Sequence, residues 1–200
     1  MYRELIRIII AIIAQPGKAW QQLAVKKERK DEILTRVVYP LIGLATLAAF
    51  IGVLFTEKHF VVELALKAAI KTLVACFGGF FIAVWTLNEA WKKMFREPSN
   101  PDLCRRFIAY SSVMMFTIEI ALSILPASDF FFIRAFLLYT AYIIWEGAST
   151  YMKVDNRQIP VFRISVSAQA LFTFIATILI IALPMILYRI MFLFMPGLRS

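Results

Sequence analysis

The chain has 200 residues, 61% of them hydrophobic, with 18 Phe and a formal net charge of +9. Its mean hydropathy of +0.75 lies far outside the range of water-soluble domains, in which roughly 45–50% of residues are apolar, so a soluble fold is excluded and an integral membrane protein remains. The positive charge could suggest nucleic acid, but its distribution about the membrane accounts for it without any such partner.

In chain order, the first 32 residues supply no span. Ile8 to Ala14 is an apolar run of seven residues, too short to cross a bilayer. It resembles the core of a signal peptide, but Glu4 in the leader and the lack of an Ala-x-Ala site argue against cleavage. Over Tyr2 to Ala14, Arg3, Glu4 and Arg7 share a helical face continued by Ala11 and Ala14, while Leu5, Ile6, Ile9, Ile10, Ile12 and Ile13 cover the rest. Such a helix lies in, or dips into, the membrane interface. Pro16 cannot continue it but fits the first turn of another, so Pro16-Gly17 predicts a corner. On the second helix Trp20, Leu23 and Ala24 share a face. Pro16, Lys18 and Trp20 are the expected interface residues, with Lys18 reaching the phosphates and Trp20 either at the headgroups or plugging a crevice between spans. The block from Lys26 to Glu32 is nearly balanced in sign and reads as a solvated connector.

Five windows then approach the roughly 20 apolar residues needed to cross about 30 Å of hydrocarbon: about 33–55, 68–87, 107–125, 130–151 and 166–187. The prediction is an all-α integral membrane protein, with interfacial amphipathic helices in 1–32 and a five-span bundle in 33–200. The connection at 126–129 is short, making the third and fourth spans antiparallel neighbours. The segments 92–106 and 153–163 read as turns. With the N-terminus inside, sixteen of the 22 Lys and Arg fall on inner segments and six on outer ones, which predicts a cytoplasmic N-terminus and an external C-terminus. Anionic inner-leaflet lipid is then an expected partner, each basic residue near the surface contributing on the order of 1 kcal/mol. No internal repeat suggests a transporter built from inverted halves.

Charges within spans are costly and mark candidate sites. They are Glu119 in the third span, Glu146 in the fourth, Lys71 one turn inside the second, and Arg134 at the outer end of the fourth. Glu63, Lys67 and Lys71 recur every four residues on one face. Each acid has a base at similar depth: Lys71 or Arg134 for Glu119, and Arg36, Arg106 or Lys153 for Glu146. Two carboxylates in opposite halves of the membrane do not form an acid/base pair for one bond, and no protease or phosphate-loop pattern occurs, so no catalytic residue is assigned. One His and two separated Cys give no metal site and no disulfide framework, and no cofactor is expected. Gly78-Gly79, Ala45/Ala49 and Ala48/Gly52 read as close helix contacts.

A short interfacial N-terminus with a Pro followed by a Trp, then five spans with the N-terminus inside, resembles the Yip1-domain membrane proteins, particularly their short prokaryotic members. Eukaryotic relatives carry Asp-Leu-Tyr-Gly-Pro at the first span and Gly-Tyr-Ser at the third. Val37-Val38-Tyr39-Pro40 and Ala109-Tyr110-Ser111 match these at Tyr39, Pro40, Tyr110 and Ser111, and depart at the Asp and both glycines. The resemblance implies a non-enzymatic integral membrane protein. Eukaryotic members act in vesicle trafficking, membrane shaping and partnership with small GTPases. From the residues alone, the tyrosines anchor spans at the inner interface, and Pro40 sits in the first turn of the first span.

The expected function is non-enzymatic: organising membrane shape, lipid or partner proteins from the inner leaflet, with a membrane-protein partner or a second copy as candidates. The alternative is a small transporter or channel using Glu119, Glu146 and Lys71. A lipid-modifying enzyme ranks third.

Overall fold

The computed structural model describes residues 2–26, 32–56, 62–96, 98–125, 135–154, 158–161 and 164–194. The expected span end at Arg134, the connection at 126–129 and His59 lie outside them. Among the described residues the protein is all-α apart from one short hairpin. Helix α1 covers Tyr2–Ala14 and α2 Pro16–Val25, and Pro16 at the head of α2 makes the corner. A π-helical stretch, Leu34–Val38, runs directly into α3, Tyr39–Thr56. Then come α4, Val62–Phe95, and α5, Pro101–Ser111, joined through Ser112 to α6, Val113–Ile124. Helix α7, Leu137–Thr150, leads to strands β1, Gln158–Val161, and β2, Ile164–Ser167, and α8, Ala168–Phe194, follows.

Among the described residues four helical runs are long and apolar enough to cross a membrane: Leu34–Phe55, Val62–Phe95, Pro101–Ile124 and Ala168–Met191. The described part of the expected fourth span is α7. At 34 residues, α4 is about 51 Å long at 1.5 Å per residue, so it outruns the hydrocarbon by roughly 20 Å.

Pro40 is not in a first turn, because helical backbone begins eight residues earlier at Glu32. A proline there removes an N–H and crowds the carbonyl four residues back, that of Arg36. The helix widens just before it, and the Tyr39 N–H bonds to the Leu34 carbonyl, five residues back. The segment expected to be a simple turn at 153–163 instead contributes β1 to the hairpin.

Small residues set the helix spacing. A Cβ on Gly52 of α3 would collide with the Ser123 carbonyl of α6, and one on Gly79 of α4 would lie 2.8 Å from Cγ of Pro184 in α8. The core runs from α1 through α8 and is rich in aromatics: Phe107, Phe116 and Phe172 are fully buried. Leu47, Trp85, Phe174 and Leu193 are exposed, as expected of side chains facing acyl chains.

Candidate functional site

The corner between α1 and α2 is wedged against the bundle. Trp20 is fully buried, and its Nε1–H donates to the Ile143 carbonyl of α7 at 2.9 Å. Its ring stacks on Phe107 at 5.4 Å, meets Tyr110 edge-on at 6.1 Å and packs at 5.3 Å from Tyr151. Gly147 makes room, since a Cβ there would lie 2.5 Å from Trp20 Cε2. Of the two readings of Trp20, the crevice plug is the conformation its side chain adopts. Pro16, Ala19 and Trp20 are buried, with Leu23 half-buried beside them, whereas Ala24 is exposed and does not share that face. Lys18 is exposed.

Two further contacts hold α1. The Tyr139 hydroxyl donates to the Ile13 carbonyl at 2.9 Å, satisfying an end-of-helix acceptor. Arg36, on the π-helical stretch, pairs with Glu32 at 2.7 Å and lies 3.8 Å from Glu4. Leu5 and Ile12 face the bundle, while Ile6 and Ile10 on the opposite side are 55% and 59% exposed. The apolar surface of α1 therefore divides into a protein-facing stripe and an outward one.

Of the four charged candidates, Lys71, Glu119 and Glu146 lie among the described residues and Arg134 lies outside them. Lys71 is 2% exposed, with Nζ 4.6 Å from the centre of the Tyr188 ring of α8, a cation–π geometry. Glu119 on α6 lies within electrostatic reach of the Cys76 thiol on α4. Glu146 differs from expectation: Arg36 is committed to Glu32 and Glu4, and Arg106 Nε donates to the Asp102 carbonyl at 3.3 Å. Among the described residues Glu146 forms no ion pair. Its Oε2 sits 3.1 Å from where a Cβ on Gly17 would be, so it is pressed against the first turn of α2. Negative charge is favourable at a helix N-terminus, an environment that local sequence did not point to. Glu63 and Lys67 pair at 2.6 Å.

The residues matching the family signatures fall in two places. Tyr110 and Ser111 are buried, Tyr110 against Trp20. Tyr39 is exposed and stacks 6.3 Å from Phe77 of α4, beside the half-buried Pro40. Cys76 and Cys104 are free and buried.

Asn88 of α4 was missed by sequence reasoning. Only 7% exposed, it meets the Ser99 hydroxyl through both ends of its amide, at 2.9 and 3.2 Å, and accepts the Asn100 N–H at 3.1 Å. Asn100 in turn caps α5 by accepting the Leu103 N–H at 3.1 Å. The signal was a lone amide before the Pro-Ser-Asn-Pro stretch.

Two small clefts lie among the described residues. One lies under α1, lined by Leu5, Ile33, Val37 and Tyr110 with Glu4, Lys26 and Arg36 at its rim. The other lies among α4, α6 and α8, lined by Cys76, Gly79, Ser112 and Pro184. Each has room for about one water molecule, and neither is lined by Glu119 or Glu146. Such an arrangement can dock helices and present charge. Among the described residues no group of three or more His, Cys, Asp or Glu is gathered for a metal.

Known proteins were compared with this chain. No curated protein matches it, and no solved structure does. The family model described as Yip1 domain matches residues 10–179, a stretch that takes in the Pro16 corner, Tyr39-Pro40, Tyr110-Ser111 and the start of α8. The chain is a multi-pass membrane protein that belongs to the Yip1 domain family.

Proposed function

We propose that this protein is a non-enzymatic organiser of membrane or partner proteins, working from the leaflet on the side of its N-terminus, which the distribution of positive charge makes cytoplasmic. The observation that carries the reading is the docked corner. Trp20 pins α2 into the bundle while Lys18 and the outer stripe of α1, with Ile6 and Ile10, stay exposed. A pinned helix presents one face in a constant orientation, as a recognition surface needs and a loose tail does not provide. Basic residues on the same side, among them Lys92 and Lys93 in the last turn of α4, suit anionic lipid. Pro16, Lys18 and Trp20 are the working residues of this reading. Partner candidates are the lipid itself, another membrane protein or a second copy.

The transport alternative rests on Lys71, a nearly fully buried cation in a spanning helix. Against it, the two small clefts described above are water-sized and are lined by neither acid. Reconstitution separates the two readings. The organiser should alter vesicle shape, or retain anionic lipid or a partner, without passing small ions, and Trp20→Ala should abolish the effect. Ion or proton flux into vesicles, lost on Glu119→Gln or Lys71→Met in folded protein, would replace this reading by the alternative.

A further inference from the structure

Two spanning helices depart from regular geometry, and the residues that do so both line the cleft among α4, α6 and α8. In the run Pro101–Ile124, Ser112 stands between α5 and α6 with ψ −8°, where regular helix has about −42°. In α8 the departure is Pro184. Proline has no N–H, so the Ile180 carbonyl four residues back loses its helical partner. A helical carbonyl points along the axis toward the residue four ahead. For Ile180 that residue is Pro184, and Ile180 lines the cleft beside it.

The cleft is deep in the bundle. Gly79, in its lining, stands at the middle of α4, 17 residues after Val62 and 16 before Phe95, so about 24 Å of helix separates it from either end. At such a depth a carbonyl freed by proline must be satisfied by a neighbouring side chain or an ordered water, because lipid offers no donor. The lining supplies two further polar groups, the Ser112 hydroxyl and the Cys76 thiol, both on buried residues. A hydroxyl donates and accepts, and a thiol does both weakly. Phe80, Met115, Phe116 and Leu179 make most of the remaining wall apolar. A single buried water needs two to four polar partners and about the room this cleft has.

We propose that this cleft binds one ordered water molecule, which donates to the Ile180 carbonyl and joins it to the Ser112 hydroxyl and the Cys76 thiol. The water stands in for the N–H that Pro184 lacks and ties α4, α6 and α8 together at the middle of the bundle. The site goes beyond the organising role of the N-terminal corner, which uses none of these residues.

The test is X-ray radiolysis of full-length protein in phosphatidylcholine nanodiscs, where hydroxyl radicals formed from a bound water oxidise the side chains beside it and mass spectrometry reads the products. Each reporter in the lining has a control of the same chemistry and matching burial outside it. Cys76 is 2% exposed against 1% for Cys104, and Met115 and Met114 are both 7% exposed. Cys76 and Met115 should oxidise faster than their controls. Pro184→Ala returns an N–H to the Ile180 carbonyl and should bring both reporters down to the level of the controls. Ser112→Ala removes a second partner without touching α8 and should lower both as well, which keeps the proposal testable if Pro184→Ala does not fold. Reporters no faster than their controls mean a dry cleft and overturn the proposal. So does fast oxidation of reporters and controls alike, the mark of a loosely packed bundle, and so does fast oxidation of the reporters that either folded variant leaves unchanged.

Discussion

If Trp20 holds the N-terminal corner by filling a space that only glycine leaves open, Trp20 and Gly147 must be energetically coupled. Removing the indole forfeits its contacts with Phe107, Tyr110 and Tyr151 and its bond to Ile143. Large-to-small changes of this kind cost about 3–5 kcal/mol in a soluble core. In a bilayer the released Trp would rest comfortably at the headgroups, so Trp20→Ala should lose roughly 2–4 kcal/mol here. Trp20→Phe keeps most of the packing and loses the hydrogen bond, about 1 kcal/mol. Gly147→Ala places a methyl 2.5 Å from Trp20 Cε2 and 2.9 Å from Phe107 Cε2, an overpacking of about 1–3 kcal/mol.

In the double variant the indole is gone and the methyl meets only Phe107. The second substitution should therefore lose less than it does alone, giving a favourable coupling of about 1–2 kcal/mol. The assay is reversible unfolding of detergent-solubilised protein for all four members of the cycle, with the rate of proteolysis near Lys26 as a local readout of corner release. Additivity within about 0.5 kcal/mol would refute the reasoning, and so would a Trp20→Ala protein whose first 26 residues stay as protected as before.

Three other substitutions bear on what positions the corner. Asn88→Ala strands the Asn100 N–H and the Ser99 hydroxyl at the turn into α5 and should lower stability by about 1–3 kcal/mol, read in the same unfolding assay. Gly52→Val drives a side chain into the Ser123 carbonyl; an overpacking loss of about 1–3 kcal/mol is expected, together with less cross-linking between cysteines placed on α3 and α6. Lys153 holds a left-handed backbone conformation, φ 54°, just past α7. Lys153→Gly relieves it and should raise stability by up to about 1 kcal/mol in unfolding measurements, where a loss would show that the Lys side chain itself contributes.

Membrane spans are legible in a sequence because lipid demands length and apolarity locally, and the long helices here obey that demand. The contacts that fix the corner are of another kind. Trp20 and Ile143 are 123 residues apart, and Tyr139 and Ile13 are 126 apart. Both donors reach backbone carbonyls, groups that every residue carries, so no residue type at the far end announces the bond. What local pattern showed was a Trp able to plug a crevice and to sit at headgroups, two compatible readings; that Gly147, inside an apolar window, leaves the space for the indole was not visible locally. Pro40 failed for a different reason: a local rule placed it at a helix start, but Glu32, Arg36 and Glu4 form ion pairs that keep charged residues helical upstream, and a π turn accommodates the ring. The hairpin did carry a local sign, aliphatics at 159, 161, 164 and 166, spaced as two short strands around a two-residue connection. Four-residue strands fall below the windows that reveal spans, and polar residues interrupt each. Polarity that alternates along a strand averages away in a hydropathy window, whereas polarity segregated along the chain survives it. For that reason the spans were legible and the hairpin between two of them was not.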